Sequence, residues 1–129
     1  MMRVFWLLAG IAFAGMAGAA GPEKAWHAVR GSELQALFAD QELGDGVHFA
    51  NQFYRGGRLT GMNMGKPARG TWKVTGRELC WTWTKPSSPE ECYEVRQRGH
   101  EVRMLLDGYE AFSGSLTPIE PNPSNEVKP

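Results

Sequence analysis

The 129-residue sequence contains few of the residues that most often carry out chemistry in proteins. It has only two cysteines and three histidines, and the histidines (His27, His48 and His100) are scattered along the chain. The HExxH zinc signature, the GxSxG nucleophile motif, the Walker phosphate loop and the CxxC pair are all missing. We therefore predict a protein that is not an enzyme and that carries no cofactor.

The sequence also lacks an excess of charge of either sign. Fourteen basic and 14 acidic side chains give a formal net charge of zero. Nucleic acids and anionic membrane surfaces attract proteins with an excess of positive charge. The charge balance thus argues against either as the main partner.

Long apolar runs are missing everywhere except near the first residue. Arg3 precedes an apolar run from Val4 to Met16, and Ala17-Gly18-Ala19 supplies the small residues that signal peptidase requires. We predict that residues 1–20 are a signal peptide, that no membrane span remains after its cleavage, and that the protein is periplasmic or secreted. The alternative is a retained anchor, although the run is short for a span of about 20 residues.

The two cysteines fit an exported protein. An even number of cysteines in an oxidising compartment favours a disulfide, and two cysteines alone make a poor zinc site. Cys80 and Cys92 lie on two predicted strands joined by a Pro/Ser turn, so we place them opposite one another. The disulfide would fix the strand register and keep one set of side chains together on the other face: Leu79, Trp81 and Trp83.

One helix is predicted, early in the chain. Leu34, Leu37 and Phe38 form an apolar stripe at helical spacing, and Ser32 with Gln35 has the form of a capping box. We expect a helix from about Ser32 to Asp40, ended by the glycines that follow.

The remainder alternates with a period of two residues and is punctuated by turns. Short connections produce antiparallel neighbours, and closing or curling the sheet would bury the tryptophans. We predict a mainly β fold, an up-and-down meander forming a small barrel or half-barrel over residues 21–117, with residues 118–129 as a Pro-rich disordered tail. Seven strands are expected: 47–54, 58–64, 70–75, 78–84, 92–97, 101–106 and 109–116.

A longer pattern resembles a known group of proteins. Gly70-Thr71-Trp72, the cysteine pair, the segment from Glu91 to Val95 and Gly99 together resemble small secreted β-domain proteins of proteobacteria. The resemblance covers residues 31–108 and implies a fold more than an activity. The G-x-W element is also loosely similar to that of lipocalin- and avidin-type barrels, which implies a ligand pocket inside the barrel.

The aromatic residues are the main candidates for binding. We predict that an exported binding protein of this kind holds a small apolar ligand, with Phe49, Phe53, Trp72, Trp81 and Trp83 around it. The alternative is that these rings simply fill the core. In that case the protein would act on another envelope protein, as a partner-binding or inhibitor module.

A weaker signal is the pair of methionines in Met62-Asn63-Met64. Thioethers suit Cu(I), and residues two apart on a strand project to one face. His48, on the neighbouring predicted strand, could add a nitrogen. A further alternative is therefore periplasmic copper binding through Met62, Met64 and His48.

Overall fold

The computed structural model describes residues 25–120. The predicted signal peptide lies outside the described residues, as do residues 121–129 of the predicted tail. The first residues assigned to that tail are part of the fold, because Pro118 is the last residue of a strand and the Ile119 N–H donates to the Asp40 carbonyl at 3.0 Å.

The described residues form nine strands and one helix. In chain order they are β1 (His27–Val29), α1 (Gly31–Phe38), β2 (Gln41–Gly44), β3 (Phe49–Phe53), β4 (Arg58–Asn63), β5 (Lys66–Thr75), β6 (Glu78–Lys85), β7 (Glu91–Arg98), β8 (Glu101–Leu106) and β9 (Tyr109–Pro118).

The strands close into a barrel. Each strand from β2 to β9 pairs antiparallel with the next one in sequence, and β9 pairs back with β2, so the result is an eight-stranded antiparallel barrel. The remaining strand, β1, pairs with the second half of β7, beyond the part that pairs with β6. The prediction of a mainly β, up-and-down barrel with one short helix is confirmed, and the barrel is closed.

Two strands were missed by the sequence analysis. β1 has only three residues, too few for alternation to be visible. β2 contains Gly44, which we had expected to act as a helix-ending turn residue. Gly44 instead pairs within the sheet, where an added Cβ would lie 3.0 Å from the Phe49 carbonyl oxygen, so glycine allows the two strands to approach closely.

The connection between β4 and β5 is shorter than predicted. We expected a loop over residues 65–69, but β5 begins at Lys66 and Pro67 pairs with Met62. Met64 and Gly65 alone form the turn, with φ angles of 52° and 79°. Such left-handed angles at both central residues are typical of a tight type I′ hairpin.

The helix closes one end of the barrel. Leu34 and Phe38 are fully buried, as their spacing predicted, and the Phe38 and Phe53 ring centroids are 5.0 Å apart. The capping-box prediction was wrong, because the helix begins at Gly31 and its N-cap, Arg30, makes no side-chain capping bond. The helix start is held instead by the Gly31 N–H, which donates to the Gly76 carbonyl.

The core lies between α1 and the inward faces of the strands. Aliphatic side chains from most strands pack around Phe53 and Trp72, and the Trp72 indole N–H donates to the Tyr54 carbonyl at 2.8 Å. Two apolar residues whose alternation matches the inward face of their predicted strands lie outside the core. Val47 precedes β3 and is 82% exposed, and Leu106 is 48% exposed beyond a register shift between β8 and β9.

The disulfide prediction is confirmed. Cys80 and Cys92 are directly opposite one another on β6 and β7 and are bonded, with their Cα atoms 4.0 Å apart. With Cys80 opposite Cys92, a regular hairpin would place Thr84 opposite Ser88. In the structure Thr84 bridges to Ser87, so the turn is one residue tighter than predicted. On β6 the neighbouring Leu79 and Trp81 join the core, so the disulfide occupies the outer face of the barrel.

Candidate functional site

The two ends of the barrel are built differently. The closed end carries α1 and three short connections, at residues 54–57, 76–77 and 99–100. The open end carries the other four connections, at residues 45–48, 64–65, 86–90 and 107–108. No helix of the described residues covers the open end, which leaves the barrel mouth available to a ligand.

A cleft of about 290 Å³ lies at this mouth. We call it the mouth cleft, and its walls come from the open-end portions of β3, β4, β6, β7 and β9 together with the loops before β3 and after β4. Its lining is mostly apolar, as is typical of small-molecule sites. The residues that line it are His48, Phe49, Asn51, Asn63, Met64, Trp81, Trp83, Glu91, Tyr93 and Phe112.

The aromatic wall of the mouth cleft is a connected cluster. The Trp81 and Tyr93 rings are tilted by 32° with centroids 4.9 Å apart, and Phe112 meets Tyr93 edge-on at 5.3 Å. Phe49 meets Phe112 edge-on at 5.5 Å. Each ring restricts its neighbours, so the wall is a preorganised aromatic surface.

Asn51 is the polar residue deepest in the cleft. It is only 4% exposed, and its side-chain oxygen has no hydrogen-bond partner among residues 25–120. A buried amide oxygen left unpaired costs about 1–3 kcal/mol. The barrel therefore holds an unused hydrogen-bond acceptor beneath its aromatic wall.

Gly61 makes room for these groups. A Cβ atom at this position would lie 2.5 Å from Asn51 Oδ1 and 2.7 Å from Trp83 Cη2. Real Cβ contacts are not that short, so any larger residue would displace the asparagine or the indole ring. Glycine on β4 is thus a requirement of how the cleft floor packs.

Glu91 places a carboxylate at the edge of the cleft. The Tyr93 hydroxyl donates to Glu91 Oε2 at 2.7 Å. Burial of the phenol, followed by the hydrogen bond and the negative charge of Glu91, raises the pKa of Tyr93 above its usual value. Tyr93 consequently stays protonated and remains a donor to Glu91 throughout the physiological pH range.

The loop before β3 is organised by Asp45. One carboxylate oxygen accepts the backbone N–H groups of Val47, His48 and Phe49, and the other lies 2.7 Å from His48 Nδ1. These backbone bonds hold the pKa of Asp45 well below its usual value. The loop therefore presents His48 and Phe49 to the cleft from a fixed base.

Three of the five predicted ligand-binding residues come together at the mouth cleft: Phe49, Trp81 and Trp83. The other two, Phe53 and Trp72, lie deeper, where both are buried in the core and meet edge-on at 5.6 Å. The sequence could not separate the two groups, because all five rings share the inward face. Trp81 belongs to both groups, since it lines the cleft but is only 4% exposed and pairs directly with Trp72.

The predicted copper ligands do not line one cleft together. Met62 lines a second cleft of about 430 Å³ beside the loop before β3, and Met64 lines the mouth cleft. His48 lines both clefts, with its Nδ1 facing Asp45. The left-handed backbone at Met64 ends the strand geometry on which the shared-face argument depended. Copper binding through these residues stays a prediction.

Sequence reasoning did not select the other cleft residues for a site. Tyr93 and Phe112 line the cleft but were not among the predicted ligand-binding residues. The position of Asn51 could have been predicted, because it lies two residues from both Phe49 and Phe53. The same alternation therefore turns its polar side chain inward. Asn63 and Glu91 stand at strand ends, where alternation gives no such signal.

Comparison with known proteins adds no relative to this description. No family model, no curated protein and no solved structure matches the chain. Among residues 25–120, no helix combines the length and the apolar character needed to cross a bilayer. The resemblance to small secreted proteobacterial β-domain proteins stays a prediction.

Proposed function

We propose that this protein is a non-enzymatic binding protein that holds a small, mainly apolar ligand in the mouth cleft. The observation that carries the proposal is the unequal treatment of the barrel ends: one is closed by α1, and the other opens onto a cleft walled by five aromatic rings. A barrel of about eight strands is wide enough to hold one small ligand.

The cleft also matches the composition of known types of ligand site. Apolar rings supply most of its surface, and a few polar groups, led by Asn51 and Glu91, are placed to fix orientation. A ligand covering Phe49, Trp83 and Phe112, which are only partly buried, would remove apolar surface from water, worth about 25 cal/mol per Å² before the costs of binding.

We further propose that the protein works in the periplasm or outside the cell. The Cys80–Cys92 disulfide supports this location, since such bonds persist in oxidising compartments. The predicted signal peptide supports it independently. Resemblance to small secreted β-domain proteins points the same way.

The test is a fluorescence titration with N-phenyl-1-naphthylamine, an uncharged apolar probe. We expect saturable binding to the wild-type protein with a change in tryptophan emission, because Trp81 and Trp83 line the cleft. Gly61→Ala should weaken binding by about tenfold or more, since the added methyl group displaces Asn51 or Trp83.

Gly56→Ala is the matched control. Gly56 lies in the closed-end turn, its φ is not left-handed, and an added Cβ would meet nothing within 4 Å. This variant should bind the probe as the wild type does. The proposal fails if the probe does not saturate, or if Gly61→Ala, with its fold verified by circular dichroism, binds unchanged.

A second candidate is suggested by the apolar rim, which we define as the exposed side chains Val47, Met64, Leu106 and Tyr109. All four lie on the connections or strand ends at the open end of the barrel. Exposed apolar residues grouped in this way are typical of surfaces that contact other proteins. The second candidate is thus an envelope partner-binding or inhibitor module acting through the rim.

A further inference from the structure

We infer that the ligand of the mouth cleft is an organic ammonium cation, an amine with an apolar or aromatic body. This inference rests on the proposed function and specifies the chemistry of its ligand. It follows from three properties of the cleft: its charge, its unpaired acceptor and its aromatic wall.

The charge of the lining favours a cation. Glu91 and His48 are its only titratable side chains apart from the Tyr93 phenol, and neither lysine nor arginine contributes to it. His48 is already matched by Asp45, whose carboxylate lies 2.7 Å away. Glu91 therefore leaves the cleft with negative charge, and an anionic ligand would meet it without compensation.

The Glu91 carboxylate has capacity to spare. Within residues 25–120 the Tyr93 hydroxyl is its one hydrogen-bond donor, and Glu91 takes part in no ion pair. A carboxylate can accept about four hydrogen bonds. The adjacent Glu90 differs in this respect, because Lys73 lies 3.4 Å from its carboxylate.

Asn51 offers the ligand a hydrogen-bond acceptor. Its side-chain oxygen is unpaired although the residue is only 4% exposed. A purely apolar ligand would leave this acceptor unpaired in a still drier environment, at a cost. An ammonium N–H satisfies it.

The aromatic wall suits the same group. Trp83 is only partly buried, so its electron-rich face can attract a cation, whereas Trp81 and Tyr93, 4% and 7% exposed, line the cleft with little free surface. Phe49 and Phe112 extend the wall for the apolar body of the ligand. A single class of molecule thus uses the rings, the acceptor and the carboxylate.

The experiment compares three probes of similar size: 2-phenylethylamine, 2-phenylethanol and 3-phenylpropanoate, which are cationic, neutral and anionic at pH 7.5. Each is titrated into the oxidised protein, with binding followed by tryptophan fluorescence and by calorimetry. We expect the amine to bind about tenfold tighter than the alcohol, and the acid to bind most weakly.

Two variants assign the preference to the cleft. Glu91→Gln keeps an oxygen acceptor for Tyr93 but removes the charge, and Asn51→Leu removes the unpaired acceptor with little change of volume. Glu91→Gln should reduce the preference for the amine over the alcohol by about threefold or more, whereas Asn51→Leu should weaken both probes, since each has a donor for the amide oxygen. Glu90→Gln changes the net charge equally and should leave the preference intact.

The outcomes separate this inference from the function on which it rests. An amine that binds no tighter than the alcohol overturns the cation inference, and so does an unchanged preference in Glu91→Gln. In either case saturable binding of N-phenyl-1-naphthylamine leaves the proposed function standing. Failure of that neutral probe removes the proposed function itself.

Discussion

The closed end and the open end of this barrel use the same kinds of side chain for different purposes. At the closed end, Phe38 from α1 packs edge-on against Phe53, Phe53 meets Trp72 in the same way, and all three are buried. At the open end, Phe112 and Trp83 are only partly buried and face the mouth cleft. The difference is a cover: α1 supplies one for the lower rings, and no described element supplies one for the upper rings.

The contrast extends to the polar groups. The buried donor at the closed end, the Trp72 indole N–H, is paired with a backbone carbonyl. The buried acceptor nearer the open end, Asn51 Oδ1, is unpaired among the described residues. Buried polar groups are nearly always satisfied in folded proteins, so exceptions point to strain or function. This comparison supports our proposal that the open end serves binding.

The largest effect should come from removing the cover. Phe38→Ala deletes a fully buried ring that packs on Phe53, so we expect a loss of about 3–5 kcal/mol in the free energy of unfolding. Phe112→Ala removes a ring that is only partly buried and should cost clearly less, while weakening probe binding more. Urea denaturation and the probe titration measure the two quantities.

The comparison between the ends depends on this crossed pattern. Equal losses of stability in the two variants would show that the open-end rings are core residues like those below. Binding that survives in Phe112→Ala, measured on protein that is folded at the assay temperature, would count against the ring as part of the site.

The sequence predicted which aromatic rings face into the barrel, but not which of them lie near each end. Alternation placed Phe49, Phe53, Trp72, Trp81 and Trp83 on one inward face, and the structure agrees with that assignment. Alternation carries no information on height along the barrel axis, which depends on strand stagger and on where α1 packs. The cleft residues could thus be predicted only as part of a larger aromatic set.

The missed elements have a related cause. β2 is four residues long and ends in Gly44, and the second residue of β5 is Pro67. Glycine and proline have low strand propensity, so neither β2 nor the start of β5 was predicted to be a strand. Barrel closure overrides that preference, because β2 must pair with β3 and β9 for the sheet to have no free edge there. Tertiary pairing of this kind is not encoded in local composition.

A smaller effect is expected from breaking the disulfide. Replacing Cys80 and Cys92 together by alanine should lower the free energy of unfolding by about 2–3 kcal/mol, because a short closed loop is released in the unfolded chain. β6 and β7 carry Trp81, Trp83, Glu91 and Tyr93, all of them cleft residues. We therefore expect the open end to lose order before the closed end does.

Hydrogen exchange measures that asymmetry. Amides of the β6–β7 hairpin should exchange faster in the double variant, while those of α1 change less. Uniform acceleration across the barrel would mean that the disulfide stabilises the whole fold and has no special relation to the mouth.

The smallest effect concerns acid. The pKa of Asp45 at the open end and that of Asp40 at the closed end are both lowered by backbone hydrogen bonds, from a usual value of 3.8. A carboxylate with a lowered pKa in the folded state contributes stability above its usual pKa, and that contribution is lost as the pH falls below it. Asp45 accepts three backbone N–H groups and Asp40 accepts one from Arg55, so the open-end loop should respond more to acid.

Paired variants at the two aspartates isolate this response. Asp45→Asn keeps an oxygen acceptor but no longer titrates, so the free energy of unfolding should fall less between pH 5 and about 3 than it does in the wild type. Asp40→Asn should change that dependence less, because the Asp40 carboxylate accepts only one backbone N–H. If the two variants have the same pH profile, acid acts on the barrel as a whole, and the open end is not the part that depends on Asp45.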